Sequence, residues 1–161
     1  MWPAPVQQPH VPILLAGGGE RVTLRQVAQY ADVSNFAALS QAGSAFELED
    51  VHRKFEVLRS NCQSIGRPYE SVLRSYLTLP LVLAETPCTL QAKLDAIPEE
   101  DRAFYQTSLT SGTPGEVIEH YQSLIDTGVQ YFIVVAWERD LETIQLFAEQ
   151  VVPVLTRAHK A

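Results

Sequence analysis

Apolar and polar positions along the chain fall into blocks that alternate between the period of a strand and the period of a helix. Val11 to Ala16 is apolar without alternation, the pattern of a strand buried on both faces of a parallel sheet. Leu24, Val27, Ala28 and Ala31 then recur at i, i+3, i+4 and i+7, with Arg21, Arg25, Gln26 and Gln29 opposite, so a helix follows. "ADVSNF" predicts a short strand. "LEDVHRKFEVLRSNCQSI" predicts a helix with the apolar stripe Val51, Phe55, Leu58, Cys62, Ile65, stopped by Gly66 with Pro68 beyond.

"RSYLTLPLVLAE" predicts the next strand, with Pro80 near its middle or marking its end, because proline cannot donate to an interior ladder. A Pro-flanked helical region spans Thr86 to Tyr105. "TPGEV" opens another helix, with Thr113 as N-cap, Pro114 at the first position and Glu116 completing a capping box. That helix closes at Gly128, and "VQYFIVVAW" is the strongest strand pattern in the chain. A last helix carries Leu141, Ile144, Ala148, Val151, Val152 and Leu155 on one face, with Pro153 bending it near its end.

This order makes four strand-then-helix units. An α/β fold with a parallel sheet and right-handed helical crossovers follows, as either an open doubly wound sheet or part of a β/α barrel. Residues 1–10, "MWPAPVQQPH", are a Pro-rich lead-in without periodicity, which leaves 11–161 as the folded unit.

Composition narrows the function classes. With 46% hydrophobic and 19% charged residues among 161, a single soluble globular domain is expected. Twelve Lys and Arg against nineteen Asp and Glu give a formal charge of -7, so no basic surface offers itself to a phosphate backbone, and nucleic acid is excluded as a partner. No signal-like run and no apolar stretch of about 20 residues is present, so the chain reads as cytoplasmic, without a membrane span, and with reduced thiols. Cys62 lies on an apolar stripe and reads as a buried structural residue; Cys88 follows Pro87 at a helix start and receives no role. His10, His52, His120 and His159 have no metal-ligand spacing, and no metal site is expected.

The chemistry concentrates at Gly17, Gly18 and Gly19, between the first strand and the first helix. A strand that turns into a helix through glycines presents free backbone N–H groups at the positive end of a helix dipole, which suits a phosphate or carboxylate. No Gly-Lys-Ser/Thr ending follows, so a nucleoside-triphosphate loop is excluded. A dinucleotide fingerprint also fails, because Val22 stands where its third small residue belongs and no acidic residue ends the second strand. Glycines can serve a tight turn alone; three in succession, with Thr23 in the first helical turn, favour close approach by a ligand.

"PILLAGGGERVTLRQVAQYADVSNF", "HRKFEVLRSNCQSIGRPYE", "GTPGEVIEHYQSLIDTGVQYFIV" and "DLETIQLFAEQVVPVL" resemble, in this order, the C-terminal half of luciferase-like monooxygenases, most closely the deazaflavin-dependent oxidoreductase branch. The resemblance implies a TIM (β/α)8 barrel of which these four units are strands 5–8 with their helices. A complete barrel takes about 250 residues, so the chain is expected to be half a barrel and a partial enzyme. It further implies coenzyme F420 or FMN as cofactor, a small organic substrate and hydride transfer at the cofactor ring. Gly17, Gly18 and Gly19 become backbone donors to the cofactor phosphate, Thr23 a hydroxyl donor, and Asn35 a residue facing the barrel mouth. Trp137, Glu138 and Arg139 fall on the same rim, with Arg139 placed to meet an anion or an exposed helix-start residue.

No catalytic residue is assigned, because much of the ring-holding apparatus belongs to the first four strands. The alternative is a non-catalytic phosphate-binding or assembly module with an open four-stranded parallel sheet. Open edges lead to an expectation of assembly, either as a homodimer or with a separate N-terminal half.

Overall fold

The computed structural model describes residues 6–38 and 47–158. The first half of the lead-in and His159 lie outside the described residues. The element order is β1 (Leu14–Ala16), α1 (Thr23–Tyr30), β2 (Val33–Ala37), α2 (Leu48–Ser64), a 3-10 turn (Tyr69–Ser71), β3 (Leu73–Leu83), α3 (Pro87–Ala96), α4 (Glu99–Tyr105), β4 (Thr110–Gly112), α5 (Pro114–Asp126), β5 (Tyr131–Ala136), α6 (Leu141–Leu146), a π-helical turn (Phe147–Val151) and α7 (Val152–Ala158). All strand pairs are parallel: β1 with β2, β2 with β3, and β3 with both β4 and β5.

The register assigns every side chain to a face, since paired residues in a parallel sheet point the same way. Phe36 pairs Tyr76, which pairs Phe132, and this row meets the helices. Phe36 stacks on Phe55 of α2 at 4.9 Å between ring centroids, and Tyr121 of α5 meets Phe132 edge-on at 4.7 Å. Helices α1, α2, α5 and α7 contact one another in that order, so they form one layer over one face. Leu24, Val27, Leu58, Cys62, Val117 and Leu124 fill the space beneath. Cys62 is fully buried there, and burial pushes its thiol pKa up, whereas Cys88 is exposed.

The other face is covered only in part: Asn35 and Ser75 are buried on it, while apolar residues around them are open to solvent. Leu14, Leu73, Tyr131 and Val135 all point to it and are exposed, Tyr131 by 53%. The first strand is shorter than the apolar run Val11 to Ala16, and it is not buried on both faces: Val11 and Ile13 before it and Leu14 within it are exposed.

Three further differences from the sequence reading have local causes. A fifth strand, β4, was not expected, since "TSG" has no apolar pattern and is held by the end of β3. The Thr86 to Tyr105 region is two helices, broken at Ile97 and Pro98, because the residue before a proline avoids helical geometry. In the last helix Leu141 and Ile144 are 74% and 52% exposed, contrary to the expected face. The Thr143 hydroxyl is drawn to the backbone of Leu83, so Thr143 and Leu146 face inward instead. A π turn spans Phe147–Val151 just before Pro153, where the missing proline N–H leaves the Glu149 carbonyl without its helical donor.

Pro80 stands inside β3, and pairing with β5 shifts between Thr78 and Leu81. A residue without an N–H fits where the ladder is interrupted. Beyond β5's last pair, the Leu83 amide donates to Thr143 Oγ1 at 2.8 Å in place of a strand neighbour. The Asp140 carboxylate accepts from the Thr143 amide and hydroxyl and from Lys93 Nζ at 2.9 Å, and Lys93 also donates to the Leu83 carbonyl at 2.7 Å and pairs with Glu142 at 3.0 Å. This cluster clamps α3 and α6 onto the C-terminal end of β3. Partial burial alone would raise the Asp140 pKa, but bonds from Thr143 and Lys93 outweigh it and hold the carboxyl below its usual value. For Lys93 burial acts downward and is overcome by Asp140 and Glu142, so its pKa is raised.

Two outcomes follow for stability. Tyr121→Phe removes the bond from its hydroxyl to Thr78 Oγ1, 2.8 Å in a fully buried setting, and is expected to cost about 1–2 kcal/mol in urea unfolding. The Asp140 contribution is complete above the unfolded carboxyl pKa of about 4 and fades as pH falls through the lower folded value; the Lys93 contribution is complete below about 10.4 and fades as pH rises through the raised folded value. Asp140→Asn should therefore lower the melting temperature at pH 7, and the gap to the parent should close as pH falls below about 4.

Candidate functional site

In a parallel sheet every strand ends on the same rim, and here that rim holds the glycine turn after β1, Asn35 and Ala37 of β2, and Trp137 after β5. Gly17 has φ +120°, a conformation that side-chain-bearing residues rarely adopt, so the turn begins where only glycine is comfortable. Its N–H is committed to the Asn35 carbonyl at 3.0 Å, which continues the β1–β2 ladder by one bond. The amides of Gly18 and Gly19 donate to no carbonyl among the described residues. The Gly19 carbonyl accepts from the Leu24 amide at 3.0 Å, joining the turn to the first turn of α1. A Cβ at Gly19 would stand 2.9 Å from Thr23 Oγ1, so the absence of a side chain lets the Thr23 hydroxyl lie over the turn.

Helix α1 is fixed at its other end by Arg67, whose guanidinium donates to the carbonyls of Ala28 at 3.0 Å and Ala31 at 2.8 Å, a favourable use of cation at the negative end of a helix. Asp32 accepts the Ile13 amide at 2.7 Å and so ties the start of β1 to the α1–β2 connection. The glycine turn is thus held from both flanks.

Lys54 is the residue that the sequence reading missed. It lies on α2 three residues after Val51 and four before Leu58, inside the buried stripe, and only 6% of it is exposed. Its ammonium donates to the Gly18 carbonyl at 2.6 Å and stands 3.9 Å from Glu20 Oε1, an oxygen that the Arg53 guanidinium approaches to 3.2 Å. Gly18, Gly19, Glu20, Arg21, Val22 and Lys54 line an open recess of about 410 Å³. A lysine at an i+3, i+4 position of an apolar stripe was the available signal.

Asn35 occupies the face opposite Phe36, as alternation requires, and is buried. Its Oδ1 accepts from Ser75 Oγ at 2.8 Å, the residue paired with it in register on β3. The structure therefore brings Gly17, Gly18, Gly19, Thr23 and Asn35 together. Arg139 is not among them. It follows β5, separated from the glycine turn by β2 and β3, and is exposed without an ion pair among the described residues. Glu138 before it has φ +41°, unusual for a residue with a side chain, and the Trp137 ring meets Tyr105 of α4 edge-on at 5.9 Å. Among the described residues no group of three His, Cys, Asp or Glu could hold a metal, and no helix is long and apolar enough to cross a membrane.

No family model and no curated protein matches the sequence. Solved structures do match the fold. An EDTA monooxygenase from Chelativorans sp. BNC1 is similar with TM-score 0.69 and 16% identity, over 98% of this chain and 48% of its own. A coenzyme F420-dependent tetrahydromethanopterin reductase from Methanopyrus kandleri is similar with TM-score 0.61 and 13% identity, over 89% of this chain and 50% of its own. The oxygenating constituent of 3,6-diketocamphane monooxygenase from Pseudomonas putida, solved in complex with FMN, gives TM-score 0.60 and 16% identity, over 89% and 49%. The chain spans about half the length of these proteins, and what it shares with the monooxygenases and F420-dependent enzymes is the fold of that half.

Proposed function

We propose that this chain forms the cofactor-phosphate side of a luciferase-like oxidoreductase that uses FMN or coenzyme F420, in the cytoplasm, and acts on a small organic substrate. The observation that carries the reading is the glycine turn: two backbone amides without a carbonyl acceptor among the described residues belong to the lining of a recess at the C-terminal end of a parallel strand. The residues fit a phosphate group. No side chain fills the cradle at Gly19, and the Thr23 hydroxyl overhangs it. Gly18, Gly19 and Thr23 hold the phosphate, while Gly17 shapes the turn and lends its amide to β2. Asn35, buried and braced by Ser75, lies on the less covered face, where the ring would lie. Arg139 at the far end of the rim meets an anionic substrate group.

When bound, the cofactor supplies hydride transfer. The protein binds its phosphate, orients it and keeps water away, and the last of these needs a cover over Leu14, Leu73, Tyr131 and Val135. These four units correspond in this reading to strands 5–8 of a barrel, and the less covered face receives a second set of strands from another copy of this chain or from a separate N-terminal half. The strand β4 is then an addition beside the end of β3. The same less covered face favours the second reading, a non-catalytic phosphate-binding or assembly module.

Titration with FMN, coenzyme F420 and inorganic phosphate, followed by ring fluorescence and thermal shift, separates the two. Binding of FMN or F420 with a change in ring fluorescence is expected; a response to phosphate with no ring signal assigns the module. Gly18→Val should weaken FMN binding roughly tenfold, about 1.4 kcal/mol, with a smaller loss of stability, because side-chain bulk blocks approach to the backbone. Sedimentation across a dilution series tests the cover: self-association is expected, and a compact monomer that melts cooperatively at low micromolar concentration rules out closure by a second copy.

A further inference from the structure

We propose that Lys54 is itself a phosphate ligand, the buried cation of a glycine-turn recess that Arg21 also lines, and that it also sets the turn by drawing the Gly18 carbonyl inward. The proposal rests on the reading of the turn as a phosphate site and names the side chain responsible for its charge preference.

An ammonium carries three N–H donors and is costly to remove from water unless they are satisfied. Lys54 is nearly fully buried, yet one bond is made, to the Gly18 carbonyl at 2.6 Å. Its two remaining protons have no acceptor within hydrogen-bonding distance among the described residues: Glu20 Oε1 is 3.9 Å away and is shared with Arg53. A cation placed this way on an apolar helix face is only partly compensated by the described residues, and a buried charge is costly unless further hydrogen bonds satisfy its protons.

The missing acceptors lie on the side of the recess, which Lys54 lines together with Gly18 and Gly19. A phosphate oxygen there accepts a hydrogen bond from Lys54 and, from the other side, from the amides of Gly18 and Gly19, which donate to no carbonyl among the described residues. The bond to the Gly18 carbonyl has a second effect. Turning that oxygen toward the ammonium keeps its negative dipole paired, so an incoming anion meets donors rather than a bare carbonyl. Glu20 on the rim is paired with Arg53 at 3.2 Å, a cation that it shares with Asp50. Surface cations are not needed for this preference in a chain of net charge -7, since one buried charge in a low-dielectric setting outweighs distant screened ones.

The test compares FMN with riboflavin, which lacks the phosphate, on the full chain at fixed ionic strength. The wild type should bind FMN more tightly than riboflavin. Lys54→Met should keep the fold, lower FMN affinity roughly tenfold or more, the worth of a charge-assisted bond, and leave riboflavin affinity unchanged; Lys54→Arg should retain part of the FMN preference. Inorganic phosphate should raise the melting temperature of the wild type and not of Lys54→Met. A folded Lys54→Met chain with an intact preference for FMN overturns the proposal and leaves the glycine turn as the phosphate site. A wild type that binds FMN no better than riboflavin overturns the phosphate-site reading itself. Should the methionine variant fail to fold, the wild type decides: the Lys54 ammonium resonance should move on adding phosphate, and an unmoved resonance overturns the proposal.

Discussion

The sheet depends on β3, because it supplies hydrogen-bonding partners to β2, β4 and β5 alike. Its first half is fixed between β2 and β5, and its second half, beyond the interruption at Pro80, pairs with β4 and ends at Leu83 under the Lys93–Asp140–Thr143 clamp. Each register row is set from this strand outward. Phe36, Tyr76 and Phe132 thereby face the helices, while Asn35, Ser75 and Tyr131 share the opposite side. Apolar burial is then greatest on the face where α1, α2, α5 and α7 form a single layer.

The same logic puts the chemistry at the strand ends. Backbone groups there have left the ladder and need other partners, and the chain provides them selectively. The Leu83 amide is answered by the Thr143 hydroxyl, and the Gly18 carbonyl by Lys54. The amides of Gly18 and Gly19 are answered by no described carbonyl. The two halves of the rim remain apart. Two strands separate the glycine turn from Arg139, so a ligand reaching both would have to cross the less covered face.

Much of this was legible in the sequence where the determinant is local. The helix starting at Pro114 was marked by Thr113 and Glu116, and the reciprocal bonds of that capping box form as the spacing implies. The stop at Gly66, the burial of Cys62, and the strand-to-helix turn at the glycines were readable for the same reason: a turn, a cap or a periodic stripe is decided within a few residues. Asn35 could be placed on the face away from Phe36 because alternation along a strand is equally local.

What tertiary structure decided was whatever needs a neighbour distant in sequence. The run Val11 to Ala16 carries the apolarity of a doubly covered strand, yet Leu14 is exposed, because cover on the second face must come from elements outside this sheet's single helix layer. Leu141 and Ile144 look like core and face solvent, since a hydrogen bond to Leu83 sixty positions away turns Thr143 inward instead. Lys54 looks like a solvated charge and is buried, because α2 packs with that face toward a glycine turn thirty-six residues earlier. Periodicity along one segment determines which residues share a face; only packing between segments determines what that face meets.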